Sequence, residues 1–101
     1  MRVILDYDED MTLSTWAALA EVGGATLGEV AEWGADAAAL EIAGAWFKAS
    51  RRLGMLSVST KADAVPDLAE ALVAFARSIA PLLGSTRISV DIPGWPDSVP
   101  L

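Results

Sequence analysis

The chain contains no cysteine and no histidine. Without cysteine there is no disulfide framework and no thiol chemistry. Without histidine it lacks the commonest general base and the commonest metal ligand. Ser-His-Asp and Cys-His catalysis and ordinary zinc sites are therefore excluded within one chain. No stretch runs to 18 apolar residues, so nothing reads as a membrane span. Met1-Arg2-Val3 opens into a strand pattern with an acidic flank, which is not the pattern of a signal peptide. The expected setting is cytoplasmic.

Positive charge is also scarce. Seven Lys and Arg stand against 14 Asp and Glu, for a net charge of −7. The imbalance lies wholly in the first half. There Arg2 and Lys48 face Asp6, Asp8, Glu9, Asp10, Glu21, Glu29, Glu32, Asp36 and Glu41, whereas residues 51–101 carry five acids and five bases. This argues against direct nucleic-acid binding, which needs a basic face. It suits a basic protein partner, or mimicry of a nucleic acid toward a protein that binds one.

What the chain does have is apolar surface. With 53% hydrophobic and 21% charged residues it is not disordered. Its 101 residues make one domain with a modest, alanine-rich core. The expected domain covers residues 1–92, followed by a Pro- and Trp-containing tail at 93–101.

Residues 26–53 (TLGEVAEWGADAAALEIAGAWFKASRRL) read as one long helix around which the rest is organised. Thr26 and Glu29 have capping-box spacing. Glu29, Glu32 and Asp36 near the start, and Lys48, Arg51 and Arg52 near the end, suit the helix dipole. Gly54 stands where a glycine stop belongs. Apolar residues fall on two faces of this helix. One carries Leu27, Ala31, Ala35, Ala38, Ile42, Ala45, Trp46, Ala49 and Leu53. The other carries Val30, Trp33, Ala37, Leu40, Gly44 and Phe47, alternating threes and fours. A helix apolar on two faces must be sandwiched. Trp33, Leu40 and Phe47 are thus predicted to meet a neighbouring helix or a second chain. Gly34 marks a point where the helix could break, with Asp36 capping its continuation.

The remaining elements are shorter. Residues 2–7 (RVILDY) form a strand with apolar residues on both faces, as an inner strand has. Residues 12–22 form a helix capped by Asp10 or Thr12 and ended by Gly23-Gly24. Residues 55–60 (MLSVST) form a second strand. A helix follows from Pro66 to about Leu83, with Leu68, Leu72, Phe75, Ile79 and Leu82 on one stripe and Gly84 as its stop. Residues 86–92 (TRISVDI) form a third strand with one wet face. The tail, with three of the five prolines, is not expected to continue a sheet. Trp95 is expected to pack back on the domain or dock on a neighbour. The expected fold is a small two-layer α/β (α+β) domain of β-α-α-β-α-β order, with a three-stranded mixed sheet and helices on one face. The second and third strands are expected to be parallel and the first antiparallel to them.

A hydrophobic strand ending in Asp-x-Asp, here Asp6-Tyr7-Asp8, resembles the first motif of the haloacid-dehalogenase-type phosphotransferases. The resemblance covers residues 3–10 and implies Asp6 as nucleophile and Asp8 as general acid. The Thr or Val of the family two residues on is Asp10 here, and the chain is shorter than that fold. Asp6, Asp8 and Asp10 also form a carboxylate cluster of the kind that holds Mg²⁺ or Ca²⁺.

Two functions follow as expectations. The first is a non-enzymatic acidic interaction module that self-associates as a homodimer or binds a protein partner, with no cofactor. In its sharpest form it is an inhibitor occupying a basic surface. Its contact residues would be Trp33, Leu40, Phe47 and Trp95, with Glu29, Glu32 and Asp36 as an acidic stripe. A solvated helix face gives the same stripe. The second is a metal-dependent enzyme or accessory subunit using Asp6, Asp8 and Asp10.

Overall fold

The computed structural model describes residues 1–7, 15–30, 36–63 and 65–101, with the side chains of Glu29 and Val30 excepted. The described elements run β1 (Arg2–Asp6), α1 (Trp16–Gly23), β2 (Thr26–Val30), β3 (Ala37–Ile42), β4 (Ala45–Arg52), β5 (Met55–Ser59), α2 (Pro66–Leu83), β6 (Ile88–Asp91) and β7 (Ser98–Val99). The strands form a single antiparallel sheet in the order β2-β3-β4-β5-β1-β6-β7. The α+β class holds, but the expected three-stranded mixed sheet is a seven-stranded antiparallel one.

The correction originates in residues 26–53, whose described parts, 26–30 and 36–53, form three strands and their turns. Two-residue turns fold this stretch. Ala43 and Gly44 (φ 51° and 83°) join β3 to β4, and Leu53 and Gly54 (φ 52° and 76°) join β4 to β5. Two successive positive-φ residues make the turn whose twist matches paired strands. The helical spacing was a coincidence of hairpin geometry. Around the Ala43-Gly44 turn, Ile42 pairs with Ala45, Leu40 with Phe47 and Ala38 with Ala49. Those separations of three, seven and eleven residues also fall on one face of a helix. Alanine favours helix locally, but burying Leu40, Ile42 and Phe47 across a sheet outweighs that propensity.

Elsewhere the local signals hold. α2 starts at Pro66, buries Leu68, Leu72, Phe75 and Ile79, and ends at Gly84 in the left-handed conformation. α1 ends at Gly23-Gly24. Its cap is Thr15, whose hydroxyl accepts the Ala18 N–H at 3.2 Å; the expected caps Asp10 and Thr12 lie outside the described residues. Gly23 lets α1 meet α2 closely, since a Cβ there would fall 2.3 Å from the Phe75 ring. β1 is an inner strand, paired antiparallel to β5 and β6. β5 and β6 therefore run the same way, as expected, but β1 separates them. The tail also departs from expectation: Ser98 and Val99 pair with β6, and the Arg77 Nε–H donates to the Pro100 carbonyl at 3.1 Å. Its prolines flank a two-residue edge strand, the position where a sheet tolerates them. Trp95 packs against the core.

The core lies between the two helices and one face of the sheet. Val3, Leu5, Leu40, Phe47, Ala49, Leu56, Val58, Ile88 and Val90 point into it. Arg51 shares this side, with its guanidinium 4.8 Å from the centroid of the buried Trp16 ring. Among the described residues no helix is long and apolar enough to cross a membrane.

Candidate interaction face

Side chains alternate across a strand, so the strands that bury Val3, Leu5, Phe47 and Val58 must present another set on the far side. No described element covers that side. The registers arrange its residues in rows running across the strands. The middle row is Ala37, Ser50, Ser57, Ile4, Ser89 and Ser98, from β3 to β7. Above it lie Ala39, Lys48, Ser59, Arg2 and Asp91. Below it lie Arg52, Met55 and Asp6. The middle row is mostly serine, interrupted by Ile4 on β1, and the rows above and below it carry the charged groups.

Three large apolar side chains stand out on this face and its rim: Trp46 at 52% exposure, Met55 at 50% and Leu53 at 78%. Trp46 lies across β2 and β3, where a Cβ on Gly28 would sit 2.6 Å from its ring and the Ala39 methyl lies alongside. Gly28 thus leaves room for an indole laid on the sheet. Three shallow depressions cover the face. One of about 400 Å³ is lined by Trp46, Lys48, Arg2, Ser59 and Lys61. One of about 200 Å³ is lined by Arg52, Leu53, Met55 and Ile4. One of about 300 Å³ is lined by Ile4, Asp6, Met55, Thr86, Arg87 and Ser89.

The electrostatics of the face differ from those of the chain. Arg2, Lys48, Arg52 and Arg87 are balanced there by Asp6, Glu41 and Asp91. The described acids Glu21, Asp63, Asp67 and Glu70 belong to the helices and the approach to α2. Arg2 and Asp91 make the ion pair of the upper row, at 3.5 Å, with both side chains exposed.

Asp6 is a structural anchor. Its Oδ2 accepts the Thr86 hydroxyl at 2.7 Å, and its Oδ1 accepts the Thr86 and Arg87 N–H groups at 3.1 and 3.3 Å. The Ser85 hydroxyl donates to its carbonyl. The Thr86 hydroxyl, followed by these backbone N–H groups, holds the carboxyl below its ordinary value of 3.8 against the opposing effect of burial. Both oxygens are engaged in fixing the α2–β6 loop to the end of β1. That geometry favours neither the nucleophile implied by the phosphotransferase resemblance nor a metal ligand. Asp8 and Asp10 lie outside the described residues. No group of three or more potential metal ligands occurs among the described residues.

The other predicted contact residues scatter. Leu40 and Phe47 are cross-strand neighbours buried in the core, at 1% and 2% exposure, and are closed to any partner. Trp33 and Glu32 lie outside the described residues. The stripe of Glu29, Glu32 and Asp36 depended on one continuous helix, whereas Glu29 lies on β2 and the exposed Asp36 directly precedes β3. Trp95 is half-buried against the core. Sequence reasoning missed Trp46, Lys48, Ser50 and Arg52 as a surface set. Their signal was the period-two alternation with Phe47 and Ala49, between glycines ten residues apart. Comparison with protein-family models, curated proteins and solved structures finds no match to this chain.

Proposed function

We propose that this chain is a non-enzymatic interaction module that works through the uncovered face of its sheet, with a second copy of itself as the occupant. The observation that carries the reading is the exposure of Trp46, Met55 and Leu53 on a side where the described charges are nearly balanced. Two chains of net charge −7 repel each other at long range. They can meet closely only where acids do not dominate, and the uncovered face meets that condition. Trp46, Met55 and the arginines are residue types enriched in interfaces, set here around a serine-rich middle row. Its size fits as well: the molecule measures 33 by 27 by 20 Å, and one side of a stable interface covers about 800 Å².

The test is light scattering on a size-exclusion column, at low and at high salt, for the wild type and for a Trp46→Ala/Met55→Ser double variant. The expected result is a dimer that persists at high salt and dissociates in the double variant. A wild-type monomer at high protein concentration would overturn the reading. The acids on the helical side, Glu21, Asp63, Asp67 and Glu70, would then become the surface to test for an inhibitory role against a basic partner.

A further inference from the structure

We infer that the two copies pair about a two-fold axis that runs along the strands between β5 and β1, so that Lys48 of each copy meets Asp91 of the other. The inference rests on the self-association proposed above and assigns its geometry. An isologous contact requires a patch that is complementary to itself: if one residue meets a second, the second must meet the first. Six of the seven strands are symmetric about this axis, three on each side, with β2 beyond them. β4 and β6 flank the central β5-β1 pair at equal distance. Lys48 on β4 and Asp91 on β6 share the upper row, on opposite sides of that centre. Rotation about the axis keeps each row at its level and exchanges left for right. Lys48 then falls on Asp91 of the second copy, and Ser50 falls on Ser89.

The corners follow the same operation. Leu53, at the turn below β4 and β5, falls on the lower end of β1 and β6. There the depression lined by Ile4, Asp6, Thr86 and Arg87 lies open. Trp46, one level above Lys48, falls on the exposed Pro93, one level above Asp91. A knob therefore meets a hole at one end and an indole meets a proline at the other. One like-charged meeting results, between Arg52 and Arg87, and Asp6 of the second copy stands one strand away from it. Sheets facing each other in this way keep their strands nearly aligned, as paired sheets do. Asp91 is accessible for the contact, since its own-chain pairing with Arg2 leaves its side chain 77% exposed.

The sequence of Leu53 supports its part in the contact. A turn with two positive-φ residues favours Asn, Asp or Gly at the first position. Leu53 has φ 52° there and is 78% exposed. Apolar exposure disfavours leucine at that position in an isolated chain; the positive φ is shared by Ala43 in the other hairpin, so the exposure is what sets Leu53 apart.

Charge reversal tests the axis. Lys48→Asp and Asp91→Lys each place like charges at both symmetric contacts. Each is expected to weaken the dimer by about tenfold or more in sedimentation equilibrium. Mixing the two variants restores opposite charges at both contacts, so the mixture is expected to form a heterodimer about as tight as the wild type. Leu53→Asn is expected to weaken the dimer while raising the unfolding midpoint of the dissociated monomer at low protein concentration. If the single reversals dimerise like the wild type, or the mixture fails to recover, the axis is wrong and self-association stands. If the wild type itself is monomeric, the underlying reading fails together with the axis. Both reversed residues are exposed, so misfolding does not compete as an explanation.

Discussion

The two faces of the central strands share a backbone and differ in everything else. On β1, Val3 and Leu5 are fully buried, while Arg2, Ile4 and Asp6 alternate with them on the other side. On β5, Leu56 and Val58 face the helices, while Met55, Ser57 and Ser59 face away. The covered face holds the fold together by removing apolar area from water. The uncovered face contributes little to that burial. Large apolar groups remain exposed there at Trp46, Leu53 and Met55, and of these Trp46 also packs over Gly28.

Neighbouring substitutions on β1 give the largest test of this contrast. Leu5→Ala opens a cavity under the helices and is expected to cost about 2–5 kcal/mol in urea denaturation. Ile4→Ala, one residue away on the other face, is expected to cost less than Leu5→Ala, about 1–2 kcal/mol in the monomer, because that side chain is only partly buried. Equal costs would mean that something covers the second face.

Asp6 gives a smaller effect with a pH signature. Asp6→Asn removes charge-assisted bonds to Thr86 and Arg87 and is expected to cost about 1–2 kcal/mol at neutral pH. The folded carboxyl titrates below its ordinary value of 3.8. Its contribution is therefore present above that value and is lost as pH falls through the lower folded value. The wild-type advantage over Asp6→Asn should shrink on acidification. An unchanged gap down to the acid transition would remove Asp6 as an anchor.

The smallest expected effect has the opposite sign. Ala43→Asn and Leu53→Asn place a residue that tolerates the left-handed conformation in each hairpin turn. Each should stabilise the monomer by about 0.5–1 kcal/mol in the same denaturation experiment. Only Leu53→Asn should also weaken the dimer. A loss of stability in both would argue against the two-residue turns.

The stretches 26–53 and 66–83 show what was legible in the sequence. Both are rich in alanine and both carry helical spacing. In 66–83 the reading held, because Pro66, Gly84 and a continuous apolar stripe agree. In 26–53 the same spacing arose from cross-strand pairs folded about Gly44. The deciding feature was a turn built on Ala-Gly, which carries a weaker signal than Asn-Gly. The candidate face was illegible for the same reason. Arg2, Lys48, Arg52 and Asp91 are scattered along the chain, and only the pairing of β4, β5, β1 and β6 sets them in rows.

By itself the sequence determined the α+β class, the inner position of β1, the limits of α2, and the absence of cysteine and histidine chemistry. These depend on composition, on caps and on periodicity within one segment. The tertiary structure alone decided that residues 26–30, 37–42 and 45–52 form strands, that Leu40 and Phe47 lie inside, and that Trp46 and Leu53 lie outside. Those outcomes depend on long-range pairing, in which burial across the sheet overrides the local preference of an alanine-rich segment for helix.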